Sequence, residues 1–383
     1  MPLRVDIFCA VIDNFGDAGV CWRLARQLVN EHGCSVRLWL DRPEVLEALV
    51  PAMQVLAGGE NIDGVRLGDW QQAIMAEPAD VVIEAFACNP PEACIARMAR
   101  CARQPAWINL EYLSAENWVQ SSHLLPSRHP QLGLTKYFYF PGFDAATGGL
   151  LKEARLDAAR LQFQADAGAQ SAFWQSCGVP APQAEALCVS LFAYENAALP
   201  ALLDAWATSA QPVYCAVPVG RSVAAIATWC GQALLQPGAV IDRGNLRIAV
   251  VPFLGQRDYD SLLWACDLNF VRGEDSFVRA QWAQRPFVWH IYQQDDNAHR
   301  IKLDAFLALF GAEIASPAQQ ALKDFWHAWE RQDVGAQGVA ACWPAFSAQL
   351  PALRRRAAVW AELVATHGDL CSRLLIFCQG LLE

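Results

Sequence analysis

Short apolar runs alternate with helical stretches along this chain, stop, and then alternate again. That doubled alternation constrains the fold more than any other feature of the sequence. In the first series Val5–Cys9, Ser35–Leu40, Val81–Glu84, Trp107–Leu110 and Tyr137–Phe140 read as strands. Helical patterns at Val20–Val29, Pro43–Leu49 and Pro91–Cys101 separate them. Strands that are apolar throughout, rather than at every second residue, belong to parallel sheets covered on both faces. The second series runs through Leu187–Phe192, Val213–Val217, Leu246–Val251, Leu268–Val271 and Phe287–His290, with helical patterns at Ser222–Leu235, Tyr259–Ala265 and Ser276–Ala283. Helices are expected from about Ala298 to the end.

Between the two series the chemistry changes. Pro141-Gly142-Phe143 and Gly148-Gly149 are turn sequences, Ala154–Cys177 is rich in Ala and Gln and reads as helix, and Gly178-Val179-Pro180-Ala181-Pro182 ends it. The expected organisation is therefore an α/β chain of two doubly wound domains facing a cleft. Residues 1–150 form the first domain, 151–182 a helical connection and 183–360 the second. Residues 361–383 are expected to form a closing helix that crosses back to the first domain on the apolar stripe of Leu370–Leu382.

Composition narrows the class. At 383 residues the chain exceeds one ordinary core, and 54% hydrophobic against 18% charged residues provides a large interior. No apolar run approaches the roughly 20 residues of a spanning helix. Met1-Pro2-Leu3-Arg4 leads straight into a strand, without the basic and apolar regions of an export signal, so a cytoplasmic protein without membrane attachment is expected. The fourteen cysteines contain no Cys-x-x-Cys, and Cys9, Cys188, Cys215 and Cys266 lie in apolar segments, as buried thiols do. Lys and Arg total 29 against 39 Asp and Glu, a net charge of −10, which argues against nucleic acid as a partner.

Chemistry is concentrated in two places. Val11-Ile12-Asp13-Asn14-Phe15-Gly16-Asp17-Ala18-Gly19 follows the first strand and runs into the first helix. Open α/β sheets bind ligands at that station, the carboxyl end of a strand. Gly16 lets the backbone approach a ligand, and Asp17 falls where the helix begins. Alone, Asp17 reads as a helix cap; with Asp13, Gly16 and Gly19 around it, the loop reads as an acceptor site. The second place is Phe270-Val271-Arg272-Gly273-Glu274-Asp275-Ser276-Phe277, again strand, glycine turn and helix start. Free N–H groups near Ser276 suit a phosphate or pyrophosphate, and Arg272 can add a charged contact. Glu274 and Asp275 suit such a site only if one meets a sugar hydroxyl or a developing cation. A sugar nucleotide offers both partners. Glu274 and Asp275 could otherwise be charges that complement a helix dipole.

Other signatures are missing or weak. There is no Gly-x-Gly-x-x-Gly after the first strand, no Walker A loop, no His-Glu-x-x-His and no Gly-x-Ser-x-Gly. Asp258-Tyr259-Asp260 matches the Asp-x-Asp of metal-dependent transferases, but such a triplet arises easily by chance and here opens a helix. The histidines do not cluster, and His290 and His299 read as structural.

The chain resembles one bacterial family in three stretches: Asp13-Asn14-Phe15-Gly16-Asp17-x-Gly19-Val20-Cys21-Trp22-Arg23-Leu24-Ala25, Pro252-Phe253-Leu254-x-Gln256-x-x-Tyr259-Asp260, and Arg272-Gly273-Glu274-Asp275-Ser276-Phe277. The family is the protein-arginine rhamnosyltransferases that modify translation elongation factor P. The resemblance implies a GT-B glycosyltransferase of two Rossmann-like domains. Its expected reaction moves L-rhamnose from dTDP-β-L-rhamnose to an arginine nitrogen of elongation factor P, with inversion and without a cofactor or metal. Catalytic roles would then fall to Asp13, Asp17 and Glu274, with Asn14, Phe15, Gly16 and Gly19 completing the acceptor loop. Phe192, Tyr194, Phe253, Gln256 and Tyr259 would line the donor pocket. Arg272, Asp275 and Ser276 would lie near the diphosphate, and Tyr292 would close on the nucleotide. Phe192, Phe253 and Tyr259 taken singly read as core, so their assignment rests on the resemblance. Tyr259 stands where relatives often carry Phe, a change that preserves stacking.

An arginine side chain is a poor nucleophile because its pKa lies above about 12. A carboxylate that grips the guanidinium, turns one nitrogen to the sugar and accepts a proton answers that difficulty. Asp17 is expected in that role, with Asp13 orienting the guanidinium or Asp17 itself. Two other readings keep parts of this picture: a GT-B enzyme acting on a small-molecule or lipid-linked acceptor, and a non-catalytic nucleotide-sugar-binding regulator of translation.

Overall fold

The computed structural model describes residues 2–12, 15–50, 61–293, 297–330 and 337–383, apart from the side chains of Ala48 and Gln337. It divides into two units, residues 1–154 with 363–383 and residues 155–362.

The strands of the first unit are β1 (Arg4–Cys9), β2 (Ser35–Leu40), β3 (Asn61–Ile62), β4 (Val65–Asp69), β5 (Val81–Ala85), β6 (Ala106–Leu110), β7 (Pro126–Arg128) and β8 (Thr135–Tyr139). They form one sheet in the order β3-β4-β2-β1-β5-β6-β8-β7, parallel except for the edge strands β3 and β7. Its helices are α1 (Phe15–His32), α2 (Leu46–Leu49), α3 (Trp70–Met75), α4 (Glu92–Arg100) and α5 (Trp118–Ser122). One face of the sheet buries Ile7, Leu38, Ile83 and Ile108 against Cys21, Leu24 and Leu28 of α1. The other buries Phe8, Trp39, Val82 and Trp107 against Met98 of α4.

Two buried carboxylates sit among those aromatics, and each is paired, as burial of a charge demands. Asp6 accepts from Nε and one terminal nitrogen of Arg37 (2.6 and 2.8 Å) and from the Trp39 indole N–H (2.9 Å). Glu84 takes Lys136 Nζ (2.7 Å) and the Trp107 indole N–H (3.0 Å).

In the second unit the strands are β9 (Leu187–Leu191), β10 (Val213–Pro218), β11 (Val240–Arg243), β12 (Leu246–Val251), β13 (Leu268–Arg272) and β14 (Phe287–His290). Their order is β11-β12-β10-β9-β13-β14, with only β11 antiparallel. The helices are α6 (Leu156–Ala165), α7 (Ala167–Ser176), α8 (Leu199–Ala207), α9 (Arg221–Trp229), α10 (Gln256–Ala265), α11 (Asp275–Ala283), α12 (Ala298–Gly311), α13 (Ser316–Glu330), α14 (Gln337–Ala348) and α15 (Leu350–Ala365). Trp206, Trp326, Trp329 and Trp360 are fully buried in its core.

Two expectations need correction. Residues 155–182 do not form a separate connection but belong to the second unit. Phe163 packs on Trp264 with ring centroids 5.9 Å apart, and Gln164 donates to the Trp264 carbonyl at 3.2 Å, which commits the segment to α10. The single helix expected over Ala154–Cys177 is two, because the Asp166 side chain accepts the Ala169 N–H at 3.0 Å and caps a new helix there.

The last helix, α16 (Leu370–Leu382), lies in the first unit and starts at the Asp369 cap, which accepts the Ser372 N–H at 3.0 Å. Leu370, Cys371, Leu374 and Cys378 are its contribution to the α1 side of the core. All fourteen cysteines are free thiols, buried or half-buried. Among the described residues no helix is long and apolar enough to cross a membrane.

Candidate active site

Each unit reverses its strand order once, and each reversal leaves a crevice at the carboxyl ends of two strands. In the first unit the reversal lies at β1 and β5, because the chain fills β2 on one side of β1 before crossing to the other. In the second it lies at β9 and β13 for the same reason.

At the first reversal the chain leaves β1 at Cys9 and enters α1 at Phe15. Asp13 and Asn14 lie outside the described residues. Phe15 and Gly16 are half-buried in the first turn of α1, and Gly19 is buried one turn on. Asp17, only 3% exposed, occupies that first turn, where the partial positive charge of the helix end favours a carboxylate. Its Oδ2 accepts the Ile12 N–H at 2.9 Å and its Oδ1 accepts the Tyr112 hydroxyl at 3.1 Å. The loop is tied down from β2 as well. Asp41 Oδ1 accepts the Val11 N–H at 2.9 Å, and the Arg42 guanidinium donates to the Val11 carbonyl.

Residues beyond the loop complete this station. Tyr112, which follows β6, stacks on Phe86, which follows β5, with ring centroids 4.3 Å apart and planes within 13°. Phe86 and Ala87 have φ of 58° and 52°, a left-handed pair that non-glycine residues rarely adopt. The Phe86 N–H on the Leu110 carbonyl (2.6 Å) and the Ala87 N–H on Asn109 Oδ1 (3.1 Å) hold that turn. Asn109 in turn donates to Glu111 Oε1 at 2.6 Å. Glu111 and Tyr112 were absent from the sequence-derived set. The signal available was Asn109-Leu110-Glu111-Tyr112 itself, an acid and a phenol at the carboxyl end of an apolar strand.

At the second reversal an arginine lies between two aromatic rings. The Arg272 guanidinium carbon is 4.4 Å from the centroid of Phe192 and 4.8 Å from that of Tyr194. Gly273 follows with φ of 59°, and the Trp289 indole N–H pins its carbonyl at 2.8 Å. Glu274 is the N-cap residue of α11 and Asp275 opens its first turn. The Ser276 hydroxyl accepts the Arg272 N–H at 2.9 Å and donates to the Arg272 carbonyl. Its hydroxyl thereby closes the turn at Arg272.

Around this turn Phe192 meets Tyr259 at 5.5 Å, and Tyr194 meets Tyr292 at 5.6 Å. Tyr259 is buried, and burial pushes its hydroxyl well above the usual phenol range. Tyr292 remains 47% exposed. Gln256 is buried at the start of α10, and Phe253 is half-buried in the loop after β12. Arg221, at the start of α9, lies 5.9 Å from the Tyr194 ring and was not anticipated from sequence. Asp260 of the Asp-x-Asp triplet is held by Arg279 in a buried two-pronged pair (2.8 and 2.7 Å) that locks α10 to α11. Among the described residues no group of His, Cys, Asp and Glu forms a metal cluster.

Residues 5–379 match the family model of the elongation-factor P (EF-P) rhamnosyltransferase EarP. A protein-arginine rhamnosyltransferase of Pseudomonas aeruginosa is 48% identical over 373 residues, spanning 97% of this chain and 98% of that protein. One from Shewanella oneidensis is 39% identical over 386 residues, spanning 98% and 97%. A solved structure described as the structural basis for EarP-mediated arginine glycosylation of translation elongation factor EF-P is 36% identical, with a TM-score of 0.70 over 98% of this chain and 99% of the other. Spinosyn forosaminyltransferase SpnP, at 11% identity and a TM-score of 0.52 over the full length of both chains, shares the fold. With these matches joined to two doubly wound units, the chain is a glycosyltransferase of GT-B fold and belongs to the EarP family of EF-P rhamnosyltransferases.

Proposed function

We propose that this enzyme transfers L-rhamnose from dTDP-β-L-rhamnose to a guanidino nitrogen of one arginine of EF-P, with inversion at the anomeric carbon. The observation that carries the acceptor half is Asp17, a buried carboxylate with one oxygen on the Ile12 amide and the other on the Tyr112 hydroxyl. Such a carboxylate is fixed in orientation and matched to a cationic fork.

In this reading the carboxylate of Asp17 grips the arginine, and Asp13 orients the same group. As the guanidino nitrogen forms its bond to the anomeric carbon, the bond from that carbon to the diphosphate oxygen breaks. The nitrogen's proton passes to Asp17, and dTDP leaves with the electron pair. Positioning of this kind lowers barriers by roughly 7–11 kcal/mol in favourable cases. Charge accumulates on the leaving diphosphate, where Arg272 and the start of α11 stabilise it. Glu274 steadies the sugar as it becomes oxocarbenium-like. Phe192, Phe253, Tyr259 and Tyr292 pack on the nucleotide, with Gln256 and Asp275 beside them. Metal has no part in this reading, since Arg272 and the helix end supply the positive charge and Asp260 is committed to Arg279. A reaction on a translation factor belongs to the cytoplasm.

Incubation of EF-P with the enzyme and dTDP-β-L-rhamnose, followed by peptide mapping and NMR of the modified residue, tests the reading. One deoxyhexose on one arginine, in the α configuration, is expected. A β-linked product would refute inversion. Transfer that persists after that arginine is changed to lysine would refute the acceptor.

A further inference from the structure

The last described turn of α13 carries a feature that the proposed reaction does not use. Glu330 lies in that turn and is 3% exposed. A carboxylate is out of place there, because burial penalises ionisation. Burial pushes its carboxyl up to about 8, against the smaller opposing pull of the Ile291 hydrogen bond and Arg300.

Its retained contact is specific. Glu330 Oε1 accepts the Ile291 N–H at 2.9 Å, just where the chain leaves β14, the edge strand of the sheet. Tyr292 follows at once, with its ring on Tyr194 at 5.6 Å, and Tyr194 flanks Arg272. The preceding residue of α13 makes the matching contact. The Trp329 carbonyl accepts the Asn196 side-chain amide at 2.8 Å, two residues past Tyr194. One turn of α13 thus holds both tyrosine-bearing segments. His290 lies between them, 5.3 Å from Tyr194 and 5.7 Å from Trp329, with burial holding its ring neutral.

We infer that Glu330 is a positioning residue for donor binding, which fixes the Tyr292 segment against Tyr194 and Arg272 through the Ile291 amide. This rests on the reading of Tyr292 and Tyr194 as nucleotide-binding residues. Asn196 is the second limb of the same bracket. A backbone N–H left without its acceptor loosens the segment it anchors.

Titration of dTDP and of dTDP-rhamnose into the full-length enzyme and its variants tests the inference, with melting curves run alongside. Glu330→Ala is expected to weaken both nucleotides by about 5- to 20-fold. Turnover at saturating donor and KM for EF-P should stay within about twofold. Glu330→Gln, whose amide oxygen still accepts the Ile291 N–H, should bind as wild type does. A merely structural role would lower the melting temperature and leave nucleotide affinity alone. Wild-type affinity in Glu330→Ala, or equal weakening in Glu330→Ala and Glu330→Gln, overturns the inference. If Glu330→Ala does not fold, Asn196→Ala carries the test: several-fold weaker dTDP binding is expected, and unchanged binding refutes the bracket. Tyr292→Ala separates the two levels. Weakened dTDP binding there, with Glu330→Ala unaffected, defeats the positioning role alone; unchanged binding in Tyr292→Ala defeats the donor-site reading and the inference with it.

Discussion

The crevices of the two units arise from the same topology and are furnished in opposite ways. In the first, Asp17 is held by an amide and a phenol, with Glu111 and a strained Phe86–Ala87 turn beside it. In the second, a guanidinium sits between two aromatic rings above a serine-closed glycine turn. Under the proposed function, the first meets a cation and takes a proton, and the second meets an anion with a flat base attached. In that reading the scaffold repeats and the charge at each switch point divides the two substrates.

The contrast breaks most severely if Asp17 loses its charge. Asp17→Asn should lower turnover by about 10²- to 10⁴-fold, the usual range for a positioned proton acceptor, while dTDP-rhamnose binds as before. Arg272→Leu should do the reverse, weakening dTDP by about 10- to 100-fold in titration, the scale of a lost charge-assisted contact. Tyr112→Phe sharpens the comparison. It removes one hydrogen bond to Asp17, so kcat should fall by about 5- to 10-fold with donor affinity unchanged, as rates at saturating donor would show. Smallest of all is the effect expected of EDTA, which should leave the rate of EF-P modification unaltered.

Much of the fold was legible because parallel strands covered on both faces are buried at every residue and mostly apolar, as in Val81–Ala85 and Leu187–Leu191, where Glu84 and Ser190 are the polar exceptions. The strands at or next to the edges were not legible. Val65–Asp69 mixes an exposed Arg66 with Gly68, and Pro126–Arg128 is exposed at every residue, so neither carries a strand's pattern. The split at Asp166 was hidden because an acid inside an Ala- and Gln-rich run reads as helix until its side chain is seen capping Ala169.

Within the site, Asp17, Arg272 and Ser276 were legible because each belongs to a short strand–turn–helix segment. Tyr112 was not, because 95 residues separate it from Asp17 and only the β1-β5-β6 order brings them together. The pairing that does use Asp260 was equally hidden, since its partner Arg279 lies 19 residues on.

The measurement that tests the division of labour most directly is intact-mass analysis of EF-P after incubation with saturating dTDP-rhamnose and either wild-type enzyme or Asp17→Asn, with dTDP-rhamnose affinity titrated for both. A gain of one deoxyhexose with wild type, almost none with Asp17→Asn over the same time, and equal donor affinities are expected. EF-P modified at the wild-type rate by Asp17→Asn, or no modification by the wild-type enzyme, would contradict that division of labour.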